Sequence, residues 1–454
     1  MNKKQINWLL GEIETWRSEG LIASETAVQL DARYELMKKD HRPVGLIILG
    51  SLGALLIGLG IISLLAANWG AIPRDVRAVL SFLPLTISYS AALYCTLRMK
   101  RSLAVLEPVG IFWGLSIGAG IALISQTYHL PGEMSTFILS WMLLLAPVIW
   151  LTRSLGCVAG YYIGLLFWVG MVQNKLGTGI CFWPLYGLIL PVVIDVKRKS
   201  PSGMRGIFMF WLLLISSIIA LGMTLERSLP GLWLIIYTSF FAVMLLWGSM
   251  VDREGSEMWS KPLSVCGAGG LAVVLYLLCY EWPWEDIGPS YYRYGYGYHL
   301  WASIVYDFSL TIALFMGALV LFLRWLKRSA GDPGCDTLTK ITNSLWFASP
   351  LVITVLYGGA SYFEGDADVL CSLLASVYMA VLSLLTIAEG IGRRALWMIN
   401  CGMLLFLALV IGKFFTDDYS YTIKGIVFIV SGILFFVVNM IFARKLKRDS
   451  GQTQ

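Results

Sequence analysis

From residue 44 almost to the C-terminus, apolar runs about as long as a bilayer is thick follow one another, separated by short polar joints. A helix needs about 20 mostly apolar residues to cross a hydrocarbon core. Lipid offers no partner to an open backbone, so only helices and closed barrels span it. These runs are continuous rather than alternating, which selects helices. Composition agrees. Of the 454 residues 57% are hydrophobic and 14% charged, against about 25% charged in a soluble chain. The polar exterior of a soluble multidomain protein cannot be built from so few charges.

The expectation is an all-α integral membrane protein of about 14 transmembrane helices. The first seven spans run near 44–67, 76–97, 103–124, 134–152, 155–173, 179–196 and 205–224. The second seven run near 230–251, 261–280, 300–323, 343–361, 367–388, 394–411 and 422–443. Spans within 134–196 are short and closely spaced. Cytoplasmic loops retain Lys and Arg, and with these spans 27 of the 34 fall on one side and 7 on the other. A wrong count would scramble that split midway, so both termini are expected in the cytoplasm. The net charge of +6 does not mark a nucleic-acid binder, because the cations are scattered over many loops instead of gathered on one face.

Ahead of the bundle (43–448), residues 1–42 form a separate piece. Ile6, Leu9, Leu10, Ile13 and Trp16 recur at helical spacing and Gly20 is a stop. Ser24 is suited to cap a second helix carrying Ala27, Leu30, Tyr34 and Met37 on one face. This predicts a short cytoplasmic helical hairpin, either folded on itself or on the membrane base, or docking a cytoplasmic protein partner. Nothing before it has the form of a cleaved signal peptide, so it is expected to be retained.

No cofactor or metal is called for. None of the eight Cys forms a CxxC pair, all but Cys335 lie in apolar runs, and the three His are dispersed; buried small hydrophobes explain such Cys. Phosphate-loop, HExxH and calcium-loop motifs are missing from the sequence. Paired acids at enzyme spacing are not found either, so an enzyme ranks last.

Three stretches, WRSEGLIASETAVQLDARYE, LLAANWGAIPRDVR and ALISQTYHLPGEMSTFILSWMLLLAP, resemble the domain-of-unknown-function 2157 family of bacterial membrane proteins, over about residues 5–180. RRALWMINCGMLLFLALVIGKFF and KGIVFIVSGILFFVVN, within 393–440, resemble its closing helices more weakly. The resemblance implies a multi-pass protein of the bacterial cytoplasmic (inner) membrane and lends no activity.

Ionisable groups inside a membrane are costly and tend to mark function. Glu107 stands directly before Pro108, which frees a carbonyl and kinks a helix; broken helices line transporter cavities. It lies equally near an interface where water or Arg101 would satisfy it. Asp307 sits a third of the way into its span, either as a site or as a locally bonded carboxylate. Asn400 and Asn439 are mid-helix amides suited to bonding between helices. At the external ends Asn68, Arg74, Gln126, His129 and Glu133 offer donors and acceptors. They would form a polar pocket if they met one another and Lys413, Asp417, Asp418 and Lys424, and would be separately solvated loops if not. Loop 281–299, with Trp282, Trp284, Tyr291, Tyr292, Tyr294, Tyr296 and Tyr298 beside Glu281, Glu285 and Asp286, suits sugar or quaternary-amine stacking or the headgroup belt. Gly50, Ala54 and Gly58, and again Gly110, Gly114 and Gly118, recur every fourth residue and predict close helix packing. No internal repeat is visible.

Two functions fit. One is a transporter or flippase-like carrier of a small solute or lipid-linked precursor, with Glu107 and Asp307 binding a coupling proton or cation and Arg74, His129 and Lys413 an anionic group. The other is a non-catalytic scaffold or sensor that binds partners through the hairpin and the aromatic loop.

Overall fold

A computed structural model describes residues 3–39, 44–68, 70, 72–98, 103–172, 178–200, 203–225, 231–251, 258–285, 287, 301–331, 336–362, 367–416, 421–422, 425–430, 432–433, 435–437 and 440. The five tyrosines of the aromatic loop, Asp286, Trp69, Arg101, Asp417, Asp418, Lys424 and Asn439 lie outside the described residues. Every regular element among those described is a helix. The chain divides into two compact units, one of 1–168 with 188–192, the other of 169–187 with 193–454.

The first unit opens with the expected hairpin, α1 (Lys3–Ser18) and α2 (Ser24–Lys39). Gly20 ends α1 at φ +73°, the Gly20 amide bonding to the Arg17 carbonyl and the Leu21 amide to that of Trp16. This is the paired-bond stop that a left-handed residue permits. Ile13 and Ala27 are each 1% exposed, so an apolar seam of the hairpin is consumed by the hairpin itself. Helix α2 starts at Ser24, one residue earlier than a Ser24 cap implies.

Next come α3 (Val44–Asn68), α4 (Arg74–Arg98), α5 (Leu103–Tyr128), α6 (Met134–Thr152) and most of α7 (Leu155–Val172). Between membrane helices no hydrophobic force acts, and small residues let backbones approach for dispersion contact. Both glycine series do this. A methyl at Gly50 would lie 3.1 Å from Pro108, and one at Gly58 3.1 Å from Leu115, which places that side of α3 against α5. On α5 itself, Gly110 abuts Ser154 and Thr152, Gly114 abuts Leu145, and Gly118 lies under the Trp141 ring. The Trp141 indole N–H then donates to the Gly114 carbonyl at 2.8 Å.

The second unit holds α8 (Thr178–Gly187), part of α9 (Leu190–Lys199), α10 (Met204–Thr224), α11 (Leu232–Val251), α12 (Pro262–Leu277), α13 (Trp282–Glu285), α14 (Trp301–Ala330), α15 (Thr337–Tyr362), α16 (Ala367–Arg393) and α17 (Leu396–Thr416). Its core gathers Leu234 and Phe241 of α11, Leu271 of α12, Ile353 of α15 and Leu382 of α16 around Trp284.

Eleven helices among the described residues are long and apolar enough to cross a membrane. Three of the fourteen expected spans are not among them. The first is 44–67, helical over Val44–Asn68. The second is 261–280, where α12 stops after 16 residues and the chain turns tightly through Cys279 and Tyr280. The third is 422–443, only partly within the described residues. The span expected at 179–196 is apolar over Ile180–Lys199 but is built of two ten-residue helices, α8 and α9.

Candidate functional site

Glu107 is 8% exposed, and its environment is specific. One carboxylate oxygen, Oε1, accepts the Gly156 amide at 2.8 Å and the Ser154 hydroxyl at 2.9 Å. Ser154 stands just before α7 and its own Oγ accepts the Cys157 amide at 3.2 Å. The first turn of α7 thus has two orphan N–H groups satisfied, one by a Ser cap and one by a carboxylate from another helix. A negative group at a helix N-terminus also meets the positive end of the macrodipole. Gly110, one turn further along α5, lets α5 come this close: a methyl there would press on Ser154 at 3.0 Å. Arg153, at φ +53°, ends α6 and turns the chain into this junction.

At the opposite end of α5 one expected residue, Arg74, meets Tyr128. The Arg74 guanidinium lies 4.9 Å from the centroid of the Tyr128 ring, a cation–π contact that ties the start of α4 to the end of α5. His129 follows at φ +49°, and the Leu130 amide bonds to the Ser125 carbonyl at 3.0 Å. His129 therefore occupies the left-handed stop position that Gly20 fills in the hairpin. Gln126, His129 and Arg74 are exposed, and Asn68 closes α3. Arg77, which was not singled out, does more structural work than Arg74. Its Nε donates to the Ile72 carbonyl at 2.6 Å and an Nη to that of Gly70 at 3.1 Å, clasping the α3–α4 turn.

In the second unit Asp307 is 2% exposed on α14. The preceding residue, Tyr306, accepts the Trp183 indole N–H at 2.8 Å. Trp183 belongs to α8, whose Tyr186 phenol reaches the Leu213 carbonyl of α10 and lies 2.7 Å from Ser216 Oγ. Helix α8, ending at Gly187 inside an apolar span, is thus fixed to α10 and to the turn of α14 that carries Asp307. Lys413 is half-buried on α17 and Asn400 is exposed. Sequence reasoning passed over Glu389, which is 2% exposed and 3.2 Å from Arg393. The signal was the acid–base spacing of four on one helix, hidden because the span was drawn to end at 388.

Residues 14–158 match the model of a family described as predicted membrane protein, domain of unknown function 2157 (DUF2157). The match takes in Asn68, Arg74, Glu107, Gln126 and His129, but not Asp307, Asn400 or Lys413; the resemblance at 393–440 lies beyond it. No curated protein and no solved structure matches the chain.

Proposed function

We propose that the chain is a carrier rather than an enzyme. It works in the bacterial cytoplasmic membrane with both termini inside, moving a small solute or lipid-linked precursor. The 27-to-7 division of Lys and Arg supports that orientation.

One observation carries the reading: a buried carboxylate beside an interrupted span. A charge at the membrane centre costs at least about 2.5–3.5 kcal/mol and less toward an interface; Asp307, in the second turn of α14, is nonetheless buried. Discontinuous helices facing ionisable groups are how carriers bind coupling ions near the membrane midplane. In this reading Asp307 takes up a proton or cation while α8, bonded to the same turn of α14 through Trp183 and Tyr306, responds to its charge. Glu107 accepts two bonds at the α7 terminus, and coupling is assigned to Asp307 for its place beside α8. Arg74 and His129 offer an anionic cargo group its first contact.

The test is solid-supported membrane electrophysiology on proteoliposomes, with amino acids, sugars, nucleosides and polyprenyl phosphate offered in turn. Wild type should give a cargo-dependent current that Asp307→Asn abolishes. An unchanged current in the variant overturns the assignment of Asp307, and silence of a folded wild type to every class overturns the carrier.

A further inference from the structure

A cavity of about 350 Å³ lies within the first unit between α3, α5, α6 and α7. Its walls hold no charged side chain. The one strong donor among them, the Trp141 indole N–H, is already given to the Gly114 carbonyl. Such a space offers water no partners. Protein interiors seldom leave voids larger than a water molecule unfilled.

Three glycines of α7 shape it, and they are not equivalent. A methyl at Gly156 would strike Ile111, and one at Gly164 would strike Met142. At Gly160, which is itself exposed, it would meet nothing within 4 Å, so the space beside it is open. The lining runs along α7 from Gly156 to Phe167, about 17 Å at the α-helical rise, which suits a linear guest rather than a compact one. Leu55, Ile163 and Phe167 belong to the lining and are also exposed on the outside of the molecule. The cavity therefore opens sideways beside α5, α6 and α7, which are long and apolar enough to cross a membrane, where the surroundings are hydrocarbon.

We infer that this cavity binds the hydrocarbon tail of a membrane amphiphile, which enters laterally and lies along the Gly156–Gly160–Gly164 face of α7. The inference does not rest on Asp307, which belongs to the other unit.

The full chain is reconstituted in liposomes with a phosphatidylcholine bearing a diazirine on its acyl chain, or in parallel with a diazirine-bearing polyprenyl phosphate. After irradiation the labelled peptides are mapped. Labelling of 156–167 should exceed that of the outward-facing Leu373 and Val377 several-fold with one probe or both, the stronger probe identifying the source of the tail. Gly160→Leu should remove the excess and leave the label at Leu373 and Val377 unchanged. Gly160→Ala, which adds a methyl to open space, should lower it partially and serves if the leucine variant does not fold. Labelling of 156–167 no stronger than at Val377, or unaltered in both variants, overturns the proposal. Loss of the tail site would leave an Asp307-dependent current standing, so the two readings fail separately.

Discussion

Glu107 and Gly156 are 49 residues apart and joined by a 2.8 Å hydrogen bond from the Gly156 amide to the Glu107 carboxylate. The bond makes a side chain of α5 part of the N-terminus of α7. In a membrane, where unsatisfied N–H groups find no water, this accounts for a buried carboxylate without any ligand. It also couples three short-range facts: the small residue at Gly110, the left-handed Arg153 and the Ser154 cap serve one junction.

Glu107→Gln keeps an acceptor but removes the charge. The loss of dipole and charge-assisted bonding should lower stability by about 1–2 kcal/mol. Glu107→Ala, which leaves Ser154 and Gly156 without that acceptor, should cost about 2–3 kcal/mol. Apparent thermal midpoints of the detergent-purified protein would rank wild type above Gln and Gln above Ala. If all three melt together, the junction does not need the carboxylate.

Ser154→Ala removes both the donor to Glu107 and the acceptor of the Cys157 amide. A lost cap costs about 0.5–2 kcal/mol. Because Ser154 and Glu107 share a bond, the double variant should be less destabilised than the summed singles, with a coupling of at least about 0.5 kcal/mol. Strict additivity in chemical denaturation would mean that the two act separately.

The helices were legible because apolar length and continuity are properties of single segments. So were the glycine seams, whose period of four survives whatever helix lies opposite. What Glu107 bonds to was not legible, since its partner belongs to another span and is chosen by tertiary pairing. The two-helix construction of 180–199 was hidden for a related reason: Pro184 and Gly187 are tolerated inside membrane helices, and whether they break one depends on neighbours such as Ser216 and Tyr306. His129 was read as a binding group, and its backbone angle shows that a polar residue can be placed by helix termination.

Arg77 and Arg74, three residues apart, should behave differently. Arg77→Ala opens the clasp on the Ile72 and Gly70 carbonyls and should cost about 2 kcal/mol. Arg77→Lys cannot reproduce the forked geometry and should recover less than half of that. Arg74→Ala gives up an exposed cation–π contact worth under about 1 kcal/mol. If Arg74 receives an anionic cargo, its variant loses transport while melting like wild type. Equal destabilisation by Arg74→Ala and Arg77→Ala would remove the distinction drawn between them.

His129 separates conformation from chemistry most cleanly. A left-handed angle costs a residue with a Cβ about 1–2 kcal/mol, which glycine does not incur. Glycine in turn raises the entropy of the unfolded chain, worth about 0.4–1 kcal/mol. The first effect wins, so His129→Gly should stabilise the protein by several tenths of a kcal/mol up to about 1. His129→Ala keeps the strain and should melt within about 0.5 kcal/mol of wild type, as surface substitutions do. If the imidazole also contacts cargo, both variants lose transport equally although their stabilities diverge. A glycine variant less stable than wild type would show that the His129 side chain itself holds the end of α5.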